Sequence, residues 1–296
     1  MNILMTGGTG MIGAPLCDKL TAEGHELVVL TRRSLASNGA VRYISDLGEL
    51  NLDEGFDAVI NFAGEPIADK PWSDKRKKLI YDSRLGITAQ LVDHIAAMNE
   101  KPAVFISGSA VGFYGAGVSD DTVTESASGT ESFSYELCRD WEQEALRAEA
   151  LGPRTCLLRT GIVMGDGGAL GKMLLPFKLG LGGKIGSGEQ WMPWIHILDM
   201  INIISFILNN DSMSGPVNCT APKPVRNAEF SKQLGGALGR PTFLPMPAFA
   251  VKLLMGEMGE ELLLGGKRVV PAKLLDAGFE FEFDEVSSAL KSVVAP

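Results

Sequence analysis

The chain has 296 residues, 45% hydrophobic and 21% charged, enough to bury one large core or one core with a smaller appended unit. Its formal charge of -9 argues against nucleic acid or an anionic membrane surface as the main partner. Four scattered cysteines and only three histidines give no metal-ligand spacing, and the longest apolar stretches, such as 203–208, are too short to span a bilayer. The chain enters an apolar strand at once, with no leader pattern, so a soluble cytoplasmic protein with reduced thiols and no bound metal is expected.

Ile3-Leu4-Met5-Thr6 is a short apolar run that breaks into Gly7-Gly8-Thr9-Gly10-Met11-Ile12-Gly13 and resumes with Ile12, Leu16 and Leu20 at helical spacing. Strand, tight turn and helix follow from that pattern. Gly7 can take backbone angles forbidden to a side chain, Gly10 lets the main chain approach a pyrophosphate, and Gly13 lets the helix lie close to the strand. With the unpaired N–H groups of the helix start, Gly7, Thr9, Gly10, Met11, Ile12 and Gly13 are the expected phosphate cradle.

A second strand, 25–31, ends in Thr31-Arg32-Arg33. An acid at this point would hold the ribose hydroxyls of NAD and repel a 2′-phosphate; two guanidinium groups would pair with one. NADP is therefore expected over NAD, the alternative being that Arg32 and Arg33 are solvated loop charges. A third strand is read at 41–44. A firmer one at 57–62 ends in Phe62-Ala63-Gly64, whose small residues let a cofactor pass over the sheet.

From 73 to 98 a long charged helix is predicted, with Leu79, Ile80, Leu91, Val92 and Ile95 as its apolar face. Its Lys75-Arg76-Lys77-Lys78 run is read as a solvated face rather than a nucleic-acid patch. The apolar strand 103–106 delivers Ser107-Gly108-Ser109 to the carboxyl end of the sheet, where ligands of such folds bind. Tyr114 and a polar loop follow. Then comes a helix over 133–150 with Tyr135 and Arg139 four apart, so that phenol and guanidinium can act on one point.

A strand at 155–158 leads to Arg159, and the glycine-rich segment 165–188 breaks the pattern as a substrate lid would. Segment 191–199 returns toward the first unit, with a helix at 201–208 and a last strand at 216–219. Beyond Ala221 short helices are separated by prolines. The expected architecture is α/β, a doubly wound parallel sheet of Rossmann type with a smaller C-terminal substrate-binding domain. Residues 1–158, with 196–220 returning, form the first domain; 159–195 and 221–296 form the second.

The cradle, the strand end with Ser109 and the Tyr135 helix together resemble the extended short-chain dehydrogenase/reductase superfamily, in its NAD-dependent epimerase/dehydratase group. More narrowly, the segments 61–67, 107–115, 158–161, 186–196 and 256–266 resemble an atypical epimerase family of bacteria and organelles that carries an extra C-terminal domain of unknown function. The superfamily's hydride chemistry uses a serine, a tyrosine and a lysine; Ser109 and Tyr135 match by position, and Arg139 replaces the lysine. Arginine supplies the cation that favours a phenolate, but its planar fork reaches a ribose differently.

The resemblance implies an NADP-dependent oxidoreductase or epimerase acting on a hydroxyl or carbonyl of a small molecule, with a nucleotide sugar as a candidate. The missing lysine keeps a rival open: a non-catalytic NADP(H)-binding redox sensor or regulatory protein. At single positions, Tyr135 packing with Arg139 paired to Asp140 or Glu142 competes with catalysis, and Tyr114 is an alternative proton donor. His196 reads as a packed residue, Trp191 and Trp194 as pocket wall or core, and Arg159 and Lys184 as candidate contacts of a substrate phosphate. A homodimer through helices 73–98 and 133–150 is a candidate assembly.

Overall fold

A computed structural model describes residues 1–294. In chain order the elements are β1 (Asn2–Thr6), α1 (Gly13–Ala22), β2 (Glu26–Leu30), β3 (Val41–Ile44), β4 (Ala58–Asn61), α2 (Asp74–Ala97), β5 (Val104–Ala110), β6 (Val118–Val123), α3 (Phe133–Leu146) and β7 (Arg154–Thr160). There follow β8 (Ile162–Met164), α4 (Gly168–Lys178), β9 (Trp191–Met192), β10 (Trp194–His196), α5 (Ile197–Leu208), β11 (Gly215–Cys219), β12 (Val225–Arg226), α6 (Asn227–Ala237), α7 (Ala248–Gly259), β13 (Gly266–Val269), α8 (Ala272–Asp276) and α9 (Val286–Val294).

Seven strands form one parallel sheet in the order β11-β7-β5-β4-β1-β2-β3, so the chain reverses direction across the sheet between β1 and β4. Strand alternation sorts the core onto two faces. Ile3 and Met5 pack with Leu16, Leu20, Ile201 and Ile204 from α1 and α5, while Leu4 packs with Leu91, Ile95 and Ala145 from α2 and α3. Helices on both faces explain why these strands are apolar throughout. A second core joins Met164, Leu170, Phe177, Trp194, Phe230 and Leu290 around α4, α6 and α9.

Three readings need correction. Leu79 is exposed rather than part of the apolar face of α2, because the helix turns Ile80 inward instead. In the basic run, Arg76 is buried against Glu65 and the Pro66 carbonyl, and Lys77 pairs with Glu257, so only part of it is a solvated face. The polar loop after Tyr114 contains β6, which pairs in parallel with β13. Its alternation is hidden because the partner lies far along the chain and the strand is mostly exposed.

Candidate functional site

At the end of β1, Gly7 has φ +71°, and a Cβ there would lie 2.6 Å from the Phe62 carbonyl carbon. A Cβ on Gly13 would overlap the Gly7 carbonyl oxygen. Glycine is thus required at both positions for the turn to nest against β4 and for α1 to begin so close to it. Gly10 N donates to Gly7 O at 3.0 Å and Ala14 N to Gly10 O at 2.9 Å, Pro15 has no N–H, and Ile12 gives α1 no side-chain cap, which leaves the N–H groups of Met11, Ile12 and Gly13 for an anion.

Beside this turn lies a cleft of about 570 Å³ lined by Gly8, Thr9, Asp18, Arg33, Asn38 and Tyr43. Arg33 N donates to Thr31 Oγ1 at 3.1 Å just beyond β2, and Arg33 borders the cleft; Arg32 and Arg33 are both exposed. The next wall, Phe62-Ala63-Gly64, hangs on a buried polar ladder. Thr6 Oγ1 donates to Asn61 Oδ1 at 2.6 Å, Asn61 Nδ2 to Thr88 Oγ1 at 2.9 Å, and Ala63 N to Thr6 Oγ1 at 3.2 Å. The missing side chains, the uncapped helix start and the guanidinium at the border fit a phosphorylated dinucleotide.

The strand register aligns Ser109 on β5 with Arg159 on β7 and Asn218 on β11. Ser109 Oγ donates to Glu142 Oε1 at 2.7 Å, and Arg159 holds the same carboxylate with two bonds, Nε to Oε1 at 2.9 Å and Nη2 to Oε2 at 2.8 Å. Arg159 Nη1 reaches Tyr114 Oη at 3.0 Å, and that hydroxyl donates to Asn218 Oδ1 at 2.7 Å. Burial opposes the Arg159 charge, but its hydrogen bonds to Glu142 and the field of that carboxylate outweigh it and hold the pKa above the usual value. Burial pushes the Tyr114 phenol up despite Arg159, and Cys138, beside Ser109, is pushed up to about 11.

Tyr135 lies on the first turn of α3, its ring against Gly129 and edge-on to Phe113 at 5.6 Å. Arg139 sits 5.6 Å from the Tyr135 ring centroid, and its Nε donates to Asp140 Oδ1 at 2.7 Å, the pairing that competes with a catalytic role. Arg159, a candidate phosphate contact by sequence, is instead buried and spent on Glu142. Lys184 donates to the Ser187 carbonyl at 3.1 Å. Trp194 is fully buried in the second core, while Trp191 lies at the surface between Arg226 and Arg268. His196 is buried against Phe283, caps α5 through Leu198 N and meets Ser292 Oγ at 3.0 Å.

Three residues have parts here that a reading of the sequence does not assign. Glu142, read as a possible partner of Arg139, instead holds Ser109 and Arg159; its signal is that it stands seven residues after Tyr135 on the same face of α3. Asn218 has none, because only register brings it to Arg159. Glu261 accepts from Phe133 N, Ser134 N and Ser134 Oγ at 3.0, 3.0 and 2.6 Å, capping the helix of Tyr135 from 127 residues away. Among the described residues, no cluster of three His, Cys, Asp or Glu side chains could hold a metal, and no helix is long and apolar enough to cross a membrane.

The model of the NAD dependent epimerase/dehydratase family matches residues 3–219. The chain belongs to that family. A domain of unknown function, DUF1731, matches residues 246–293, so this epimerase/dehydratase family member carries the extra C-terminal unit within which Glu261 falls. The chloroplastic epimerase family protein SDR39U1 homolog of Arabidopsis thaliana is 41% identical over 99% of this chain and 87% of its own. The crystal structure of human epimerase family protein SDR39U1 with NADPH is 34% identical, covers 99% of both chains and superposes with a TM-score of 0.88. A nucleoside-diphosphate sugar epimerase from Corynebacterium glutamicum is 30% identical, with a TM-score of 0.80 over 99% of this chain and 58% of that one.

Proposed function

We propose that this epimerase-family protein binds NADP(H) and acts as an oxidoreductase or epimerase on a hydroxyl or carbonyl of a small molecule. The observation that carries the cofactor choice is Arg33 bordering the cleft that Gly8 and Thr9 line, with no carboxylate directly after β2 to repel a 2′-phosphate. The NADPH in the human relative's crystal supports it. Bound NADP(H) supplies a hydride donor or acceptor. Gly7, Thr9, Gly10, Met11, Ile12 and Gly13 would hold its phosphates, Thr31, Arg32 and Arg33 its 2′-phosphate, and Phe62, Ala63 and Gly64 its passage over the sheet.

An ionised carboxylate only accepts, so the Ser109–Glu142 bond spends the serine's single proton and leaves its lone pairs, beside the Cys138 thiol, to accept from donors. Ser109 is therefore set to accept a hydrogen bond from a substrate alcohol rather than to donate one to a carbonyl. Tyr135 would take the alcohol proton, with Arg139 as the nearby cation. The sugar epimerase relative supports a nucleotide sugar as substrate class.

A second reading, an NADP(H)-binding regulatory protein without turnover, is favoured by the Arg139–Asp140 pair, which partly neutralises the one cation beside Tyr135. Calorimetry with NADPH and NADH, followed by turnover assays on sugar nucleotides and simple carbonyls, separates the two. Turnover lost in Tyr135→Phe with NADPH affinity intact supports the enzyme. Tight NADPH binding with no turnover on any compound supports the regulator, and no nucleotide binding at all removes both.

A further inference from the structure

Among the described residues, the other arginines that are not exposed each meet a carboxylate: Arg76 meets Glu65, Arg139 Asp140, Arg154 Asp211, Arg159 Glu142 and Arg226 Asp120. Arg84, half-buried on α2, meets none. Its Nη1 donates to the Glu65 and Ile80 carbonyls at 3.0 and 3.1 Å, and its guanidinium lies 5.3 Å from the Trp141 ring centroid. Nε and Nη2 have no hydrogen-bond partner among the described residues, and neither is among the polar atoms sealed from solvent, which are Arg76 Nε, His94 Nε2 and Thr220 Oγ1.

The place of this free edge is informative. A Cβ on Gly64 would stand 3.1 Å from Arg84 Cζ and 3.3 Å from Nη2, so the guanidinium abuts the turn expected to carry the cofactor. Cys138, a neutral thiol that adjoins Ser109, lies within reach of the guanidinium's field. Burial pushes the Arg84 pKa down by more than the field of the nearby Glu65 carboxylate, which Arg76 holds, raises it. The guanidinium thus keeps an unpaired edge at a partly dehydrated position, and an anion delivered by a ligand would pair with it.

We propose that Arg84 binds an anionic oxygen, of a phosphate or a carboxylate, on a molecule that lies over the Phe62-Ala63-Gly64 turn. The inference rests on reading that turn as part of a ligand site, and the anion has two sources: the diphosphate of the cofactor or an acidic group of the substrate. Calorimetry on wild type, Arg84→Gln and Arg84→Lys distinguishes them, first with NADPH and then with inorganic phosphate and malonate added to the NADPH-saturated protein. A tenfold or greater loss of NADPH affinity in Arg84→Gln, partly restored in Arg84→Lys, assigns the cofactor diphosphate. Unchanged NADPH affinity, with phosphate or malonate bound by wild type and not by Arg84→Gln, assigns a substrate acid.

If Arg84→Gln changes neither binding, the proposal is overturned. Should that variant fail to fold, Arg84→Lys carries the same comparison, since it keeps the charge and loses the planar fork. Absence of NADPH binding by wild type removes the proposed function instead. The phosphate and malonate titrations of the free proteins then decide Arg84 by themselves: uptake by wild type lost in the variant supports it, and equal uptake or none overturns it.

Discussion

At the carboxyl end of β1 the structure is built from main chain: Gly7, Gly10 and Gly13 bring peptide groups to the surface, and no side chain caps α1. At the end of β5 it is built from side chains, with Ser109, Glu142, Arg159, Tyr114 and Asn218 drawn from five segments into one buried network. The first region depends on what is absent from a few neighbouring residues. The second depends on partners 17 to 104 residues apart, each of which must be oriented by another. A main-chain site is rigid and sequence-local; a side-chain site is fragile and can be retuned one residue at a time.

Removing one member of the network should have the largest effect. Arg159→Met would leave the Glu142 carboxylate buried without its counter-charge, and breaking a buried pair in this way costs about 3–5 kcal/mol. Denaturant unfolding should show that loss. A shift below about 1 kcal/mol would mean that the side-chain end is no more fragile than the surface.

Next is Gly13→Ala, whose new Cβ would meet the Gly7 carbonyl oxygen. Overpacking of this kind costs about 1–3 kcal/mol, and because the strain falls on the cradle, NADPH affinity should drop about 100-fold. Calorimetry on the folded variant checks it, and retained affinity would break the main-chain account of this end.

The contrast explains how much the sequence discloses. Gly7, Gly10 and Gly13 stand within seven residues, and at Gly7 and Gly13 a Cβ would collide with backbone, so the glycine turn is legible in the local pattern alone. So is the sheet, since strands buried on both faces are apolar throughout. The positions of Ser109 and Tyr135 are legible too, but not the orientation of the serine's proton, which depends on a carboxylate 33 residues away. Arg159 misleads for the same reason: a lone arginine at a strand end looks free until register shows Glu142 beside it. Glu261 is invisible, because a contact across 127 residues leaves no local pattern.

Away from both ends, acid finds a third weak point. Burial pushes His196, which caps α5, down to about 4. An unfolded histidine near ~6.5 takes up its proton first as pH falls. Stability present above that value is therefore lost as pH drops toward 4, by at most about 1.4 kcal/mol per unit and about 3 kcal/mol in all. Comparing wild type with His196→Gln in denaturant titrations should show a flatter acid limb in the variant; parallel curves would assign the loss to other groups, such as His94, which burial also pushes down.

A smaller effect tests how the C-terminal unit supports the side-chain end. Glu261→Ala removes the carboxylate that caps α3, a change worth about 1–2 kcal/mol at a helix start. Because Tyr135 lies in that first turn, turnover should fall with the cap while NADPH affinity stays, and Glu261→Gln should recover part of it. Loss of nucleotide binding in both variants would instead tie this unit to the cradle.

The smallest effect sits at the main-chain end, where Arg33 is the cation among the residues that line the cleft with Gly8 and Thr9. Arg33→Ala should weaken NADPH about tenfold, or ~1.4 kcal/mol, and leave NADH unchanged, because the main-chain contacts are common to both nucleotides and only the 2′-phosphate differs. Equal losses for both would show that Arg33 shapes the cleft rather than reads the phosphate. No loss for either would move selectivity to Arg32 or return both arginines to solvent. A pure NADPH effect would mean that the main chain decides that a dinucleotide binds at all, and a single guanidinium at its edge decides which one.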